Sequence, residues 1–380
     1  MPEVSPNLTD AQNFADGILP SQEIVAAIER GEILIETPMP ADQIQPASVD
    51  LRLGAVAYRV RASFLPGSGT TVRNMIDSLT MHEIDLTSGA VLEKGCVYIV
   101  QLLESLALPA GTSARANPKS STGRLDIFTR VITDNSKEFD RIETGYEGPL
   151  YAEISPLTFS VLVRTGSRLS QMRLRRGDVS PSDTAMRELH ARTPLVFGDA
   201  ADAKIATANI EGGIAVSVDL SGVGGTDVIG YRAKQHTDII DVEKIGHYEI
   251  EGFWEPIRHR GQNRMILDPD DFYILASKEA VSVPPDYAAE MRAYDTLVGE
   301  FRVHYAGFFD PGFGYDVAGS SRSRAVLEVR SHDVPFVLED GQVVGRLIYE
   351  SLTATPDQLY GMDIGSNYQA QGLKLSKHFK

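Results

Sequence analysis

Residues 92–109 read LEKGCVYIVQLLESLALP, and residues 267–284 read LDPDDFYILASKEAVSVP. At an offset of 175, Leu92 falls on Leu267, Tyr98 on Tyr273, Ile99 on Ile274, Glu104 on Glu279 and Pro109 on Pro284. The same offset sets Glu153 of LYAEIS on Glu328 of AVLEVR, Gly166 on Gly341 and Met172 on Leu347. Nearer the N-terminus it drifts to 169, where Asp50 of ASVDLRLG answers Asp219 of VSVDLSG. So long a period signals duplicated domains rather than a solenoid. The boundaries that follow are a first domain at 1–176, a linker at 177–194, a second domain at 195–352 and a tail at 353–380. The linker, GDVSPSDTAMRELHARTP, is polar and carries two prolines, as boundaries between domains do.

Each copy reads mostly as strand. Segments such as CVYIVQLL, FSVLVRT, FYILAS and VVGRLIYE are short, rich in β-branched and aromatic residues, and bounded by Gly, Pro, Asp or Ser. Helices are expected at residues 21–30, SQEIVAAIER, stopped by Gly31, and over 286–298. The fold class is therefore mainly β, with a sandwich or jelly-roll in each half and few helices.

The chain has 380 residues and a net charge of −16 with no basic cluster, which disfavours a nucleic-acid polymer as ligand. One cysteine, Cys96, excludes a disulfide framework and any Cys₄ or Cys₂His₂ zinc site. It suits a reducing, cytoplasmic compartment. The opening residues, MPEVSPNLTDAQNFADG, show neither the basic nor the apolar region of a secretory signal. Apolar runs such as residues 97–103 are too short to span a bilayer.

Residues 119–124, KSSTGR, place two cations, hydroxyls and a glycine within six positions. Hydroxyls, backbone N–H groups and a bidentate arginine suit phosphate oxygens. The spacing is not that of a P-loop, and taken alone a solvated turn is the simpler reading. The matching residues 294–299, YDTLVG, lack this equipment. The second copy instead carries AGFFDPGF at 306–313, where the first has DRIETGYEG at 140–148. Glu328, between Leu327 and Val329, points away from Leu327's side of its strand. Alone it reads as a partly exposed edge-strand carboxylate, and in a pocket as a general base. Residues 314–325, GYDVAGSSRSRA, read either as a mobile surface loop, the simpler reading, or as a segment whose Arg322 and Arg324 reach phosphates. The tail residues 365–376, GSNYQAQGLKLS, read either as a fraying end or as an ordered lid with Tyr368 available for stacking.

In their order along the chain these motifs resemble the dCTP deaminases, within the trimeric dUTPase superfamily. That family runs through an N-terminal helix, a V-D-L-R-L-G strand, an R-S-S-x-x-R phosphate motif, an I-D-P-G-[WY]-x-G turn, an L-E strand and a Tyr/Gln-rich tail. Here the series looks like residues 22–30, 49–54, 119–124, 309–314, 327–328 and 368–371. A family chain is normally about half this length, so the resemblance covers nearly the whole chain twice. Three departures stand out. Lys119 replaces the first arginine, the phosphate motif survives only in the first copy, and the Asp-Pro-Gly turn only in the second.

The resemblance implies two dUTPase-like β-barrel or jelly-roll domains. Because family sites lie between neighbouring subunits, it also implies one composite site per pair of halves. Its phosphate side is Lys119, Ser120, Ser121 and Arg124. Its base and sugar side is Ala306, Asp310, Phe313 and Glu328, closed by the tail residues Tyr368, Gln371 and Lys374. Glu328 would take a proton from the water that attacks C4 of cytosine, then return protons to the ring and the departing ammonia. Ser120 and Arg124 would orient that water and the amino group, with the Ala306 carbonyl holding the water. Asp310 would read the deoxyribose, and Phe313 would floor the sugar. A glutamate doing both jobs needs a pKa raised by burial. The retained Glu153 stands against a single site, as either a remnant or a second base, while the insertion at 135–139 favours Glu328.

Zinc-dependent cytosine deamination needs more cysteines than this chain has. Magnesium is expected on the triphosphate oxygens rather than in a protein cage. The expected partners are dCTP, with dUTP or dTTP as further nucleotides, and other copies of the chain in a homo-oligomer, with no nucleic-acid polymer and no membrane. Two other readings stay open. One is a dUTP diphosphatase, alone or combined with deamination, in which Asp310 activates water. The other is a non-catalytic nucleotide-binding protein with a decayed site.

Overall fold

Both copies of the repeat form the same strands in the same register. Val97–Ala107 pairs antiparallel with Glu147–Pro156, setting Ile99 opposite Glu153 and Gln101 opposite Tyr151. Phe272–Val281 pairs with Ser323–Ser331, setting Ile274 opposite Glu328 and Ala276 opposite Val326. The ladder slips between Gln101 and Ser105 in the first copy and between Ala276 and Ala280 in the second, the same place 175 residues on. Tyr98 and Tyr273 each accept a backbone N–H from five residues earlier, Glu93 and Asp268, at 3.0 Å. The computed structural model describes residues 15–198, 207–293, 301–303, 307–315, 323–331, 333–361 and 372–380. Strand outweighs helix, 45% to 12%, in barrel-like sheets with five short α-helices among the described residues. None of those helices is long and apolar enough to cross a membrane.

Two expectations are corrected. The helix over 286–298 is instead the strand Tyr287–Ala293, and residues 294–298 lie outside the described residues. YAAEMRA is rich in helix formers, but pairing to Val343–Ser351 on one side and Phe308–Phe309 on the other overrides so weak a preference. Arg324 does not ride a surface loop. It is buried in Ser323–Ser331, where it is ion-paired with Asp219 and donates to the Ser277 carbonyl at 3.0 Å. Arg322 lies outside the described residues. Within 177–194, Asp183–Arg192 is a helix whose N-cap, Ser182, accepts the Ala185 N–H.

Thr112–Pro118 and Arg168–Arg176 recur as Tyr287–Ala293 and Val343–Ser351, and these strands bring the halves together. Arg115 lies 3.9 Å from Glu290, and Arg175 lies 3.5 Å from Glu350. Each pair joins a residue to its own counterpart 175 positions later, as happens beside a rotation axis relating two copies. Opposite charges at these positions remove the like-charge contact that identical copies would suffer. The second half packs a core of its own around Leu275, Leu327 and Tyr349. The core of the first half also takes in Trp254, Phe272, Val326 and Phe379 from the second.

Arg330 fastens this junction. From the second half it donates to the buried Asp126 carboxylate at 3.0 Å and to Thr158 at 2.8 Å, both in the first. Arg330→Met should cost about 3–5 kcal/mol, because it strands Asp126 without its cation. Urea unfolding checks this, and an unchanged midpoint would contradict it.

Candidate active site

The turn after Thr112–Pro118 aims the phosphate-type residues inward. The Lys119 N–H is fixed by the Leu169 carbonyl at 2.9 Å, and the Lys119 carbonyl accepts from Thr122 and Gly123 at 2.8 and 3.0 Å. This one-turn helix, Ser120–Gly123, ends by burying Arg124 to 3% exposure. Arg124 Nη1 donates to the Lys374 carbonyl at 2.9 Å, and its Nε lies 3.8 Å from Glu328 Oε1. The two motifs that sequence separates by half a chain thus meet within one chain. Lys119 is ion-paired with Asp50, a fully buried carboxylate that Arg168 also approaches at 3.5 Å.

Glu328 does not lie at an edge. Its strand runs between Phe272–Val281 and Phe301–Val303. Leu327 and Val329 enter the core of the second half, whereas Val326 packs with the core of the first and Glu328 faces Arg124. Burial pushes the Glu328 carboxyl up to about 7, with the Arg124 charge pulling it down and the Asp126 carboxylate adding to the rise.

Asp310 opens the Asp-Pro-Gly turn, which closes when the Phe313 N–H reaches the Asp310 carbonyl at 3.0 Å. Gly312 adopts φ of 95°, and a Cβ there would come within 3.0 Å of the Tyr360 backbone, so no other residue fits without strain. The first copy keeps this turn with another sequence. Tyr146 N–H meets the Glu143 carbonyl at 3.2 Å, and Gly145 has φ of 71°. Arg173, from the first half, anchors the second-copy turn through the carbonyls of Ala289 at 2.9 Å and Phe309 at 3.0 Å, and lies 3.3 Å from Asp310 Oδ1. Burial raises the Asp310 carboxyl, and Arg173 opposes the rise.

Among the other expected site residues, Ser120 Oγ lies 3.9 Å from the point a Cβ on Gly307 would occupy. Ser121 offers its carbonyl to Ser376 Oγ at 2.8 Å, and Lys374 meets the site through its backbone carbonyl. Residues 372–380 are not a fraying end. His378 bonds the Val242 carbonyl at 2.9 Å, and Phe379 packs 6.0 Å from Trp254. Phe313 stacks edge-on against Phe309 at 5.1 Å within the second core. Ala306, Tyr368 and Gln371 lie outside the described residues.

Glu153 is buried too, but its partner is Arg130 of its own half. That guanidinium lies 3.4 Å from the ring centre of Phe139 and 4.5 Å from that of Phe128. Ala116 N–H bonds the Asp140 carbonyl at 2.9 Å, just as Met291 N–H bonds that of Gly307 at 3.1 Å. Asp140 therefore matches Gly307, and a bulky Phe139 precedes it where the second copy has an alanine. Sequence reasoning missed Arg173 and Arg330. For Arg173 a signal existed, since its repeat counterpart is the apolar Ile348. Among the described residues no three His, Cys, Asp or Glu side chains converge as metal ligands.

Comparison with known proteins places this arrangement. A family model described as the 2'-deoxycytidine 5'-triphosphate deaminase N-terminal domain matches residues 15–178, and that of the C-terminal domain matches 182–379. A dCTP deaminase of Haloarcula marismortui is 30% identical over 162 residues, 41% of this chain and 78% of its own. A protein of Methanosphaera stadtmanae named "dCTP deaminase, dUMP-forming" is 29% identical over 160 residues, 41% of this chain and 77% of its own. The crystal structure of 2'-deoxycytidine 5'-triphosphate deaminase from Agrobacterium tumefaciens superposes with a TM-score of 0.84 at 58% identity. It covers 89% of this chain and 99% of its own.

Ionising Glu328 opposes folding, because its folded pKa of about 7 lies above the 4.5 of an exposed glutamate. Its protonated form is fully retained below about pH 4.5, and stability is lost as pH rises through about 7. Relative to Glu328→Gln, the unmodified protein should lose about 3 kcal/mol across that window and nothing further above it. Urea titrations at both ends check this. A difference that does not change with pH would contradict the perturbed carboxyl.

Proposed function

Because this chain belongs to the 2'-deoxycytidine 5'-triphosphate deaminase family, we propose that it removes the 4-amino group of dCTP at one composite site built from both its halves. It is an enzyme, a hydrolase acting on a carbon–nitrogen bond. The observation that carries the single-site reading is the contact of Arg124 with Glu328, 3.8 Å apart and both buried.

Glu328 takes one proton from a water whose oxygen adds to C4. It passes that proton to N3, then takes the second proton from the new C4 hydroxyl and delivers it to the amino group as the C4–N4 bond breaks, so that ammonia leaves a C4 carbonyl. A carboxyl titrating at about 7 accepts and returns a proton at comparable cost near neutrality. Arg124 and Ser120 position the water and amino group, Lys119 and Ser121 face the phosphates, and Asp310 on its Arg173 anchor reads the sugar hydroxyl. Glu153 stays structural, held by Arg130. A zinc-free route accords with the lone Cys96. Magnesium would arrive on the triphosphate. The described residues offer no ligand set for it, and no step here runs through it. We further propose a cytoplasmic homo-oligomer.

A second reading, deamination followed by hydrolysis of dUTP, draws on relatives named as dUMP-forming. Reaching dUMP from dCTP releases pyrophosphate as well as ammonia. With dCTP and magnesium, ammonia without pyrophosphate supports the first reading, and equal amounts of both support the second. The formation of neither would contradict both. Glu328→Gln should abolish ammonia release, a loss of at least about 10²-fold, while dCTP still binds, and Glu153→Gln should change little. Equal losses from the two substitutions would overturn the single-site assignment. The kcat/KM for deamination should rise with pH and level off above about 7, as Glu328 loses its proton.

A further inference from the structure

The register that matches Asp140 to Gly307 also matches residues 115–118 to 290–293 and residues 139–141 to 306–308. A cavity of about 240 Å³ lies against these first-copy stretches, with Glu290 of the second half closing one wall. It is the first half's counterpart of the ground beside Glu328. Arg130, packed against Phe139, is ion-paired with Glu153 on that side. The hollow remains, however, and charged side chains stand among its apolar walls.

Two features of the lining point to a ligand. At the mouth, Arg115 and Arg141 are 38% and 49% exposed; Arg141 lies 3.1 Å from Glu138 and 3.2 Å from Glu143, exposed ion pairs weak enough for a phosphate to displace. Inside, Glu290 is 8% exposed, yet its Oε2 makes no hydrogen bond, and the Arg115 cation stands 3.9 Å away. Beside it Asp140 accepts the Val131 N–H at 2.7 Å through Oδ1. Burial raises both carboxyls, that of Asp140 to about 7. A carboxyl that keeps its proton presents an O–H donor next to a C=O acceptor. That pair complements the edge formed by N3 and the 4-substituent of a pyrimidine. The volume falls just below the roughly 300–1,000 Å³ of ordinary small-molecule sites, which suits a ligand of nucleoside size.

We propose that this cavity is a second, non-catalytic site for a pyrimidine nucleotide, with phosphates on Arg115 and Arg141 and the base edge on Glu290 and Asp140. The ligand class rests on the deaminase reading, whereas the cavity and its lining do not. Occupancy is transmitted to the catalytic half by a short route. Glu290 pairs with Phe308, two residues before Asp310, and the adjacent Ala289 carbonyl is held by the same Arg173 that meets Asp310.

Equilibrium dialysis of labelled dCTP against the full chain carrying Glu328→Gln tests this. The expected result is two nucleotides bound per chain. Adding Arg141→Glu, at an exposed position that leaves folding intact, should weaken only the second by roughly 10–100-fold. Glu290→Leu, which removes both the donor and the acceptor, should also weaken that one alone. A single nucleotide per chain, or two that both substitutions leave untouched, overturns the second site while the deaminase reading stands. No bound nucleotide at all overturns both.

Discussion

Arg124 and Glu328 are almost entirely removed from solvent, and they come from different halves of the chain. An isolated charge so placed would cost several kcal/mol, and each side chain limits what the other must bear. Glu328 nonetheless keeps a raised pKa, because burial outweighs one guanidinium at 3.8 Å. The balance is chemically useful. A closer, hydrogen-bonded arginine would hold the carboxylate charged and make it a poor proton donor. No arginine at all would leave it protonated and unable to accept. The surrounding structure maintains that spacing. The Lys374 carbonyl holds Arg124 from one side, and Arg330 binds Asp126, two residues beyond Arg124. The chain end that supplies Lys374 is itself tied to Ser121.

On the single-site reading proposed here, duplication explains how one site came to need both copies. The fold was retained to the level of strand ends and ladder slips, because those are set by backbone pairing and core packing that tolerate side-chain change. Chemistry was not retained twice. The first copy keeps the cationic turn, and its glutamate is bound to Arg130 under two aromatic rings. The second keeps the Asp-Pro-Gly turn and the glutamate that faces across the junction. Opposite charges where each copy meets its counterpart, at Arg115 with Glu290 and Arg175 with Glu350, distinguish the two halves where they touch. Such a pairing favours one half of each kind over two alike.

Much of this was legible in the sequence. The offset of 175 located the two copies and the correspondence of Glu153 with Glu328. The motif series pointed to Arg124 and Glu328, which the fold brings to within 3.8 Å of each other. What stayed hidden depended on long-range packing. YAAEMRA reads as helix locally, and only its counterpart TSARANP, already a strand in the repeat, would have corrected it. Glu328 looked like an edge residue because no local signal reveals that Phe301–Val303 lies on its far side. Arg324 looked exposed among glycines and serines, but it neutralises Asp219 inside the second half. The tail seemed free to fray because its anchors, Ser121 and Val242, lie more than a hundred residues away.

The central claim is that Arg124 and Glu328 of the same chain complete one catalytic site. Complementation between chains tests it most directly. Arg124→Ala and Glu328→Gln chains, each inactive alone, are unfolded together, refolded as a mixture and assayed for ammonia release from dCTP. A site completed within each chain predicts that the mixture stays as inactive as its components. Recovery of deamination in the mixture, absent when the variants are refolded separately and then combined, would mean that the site is completed between chains and would contradict the account.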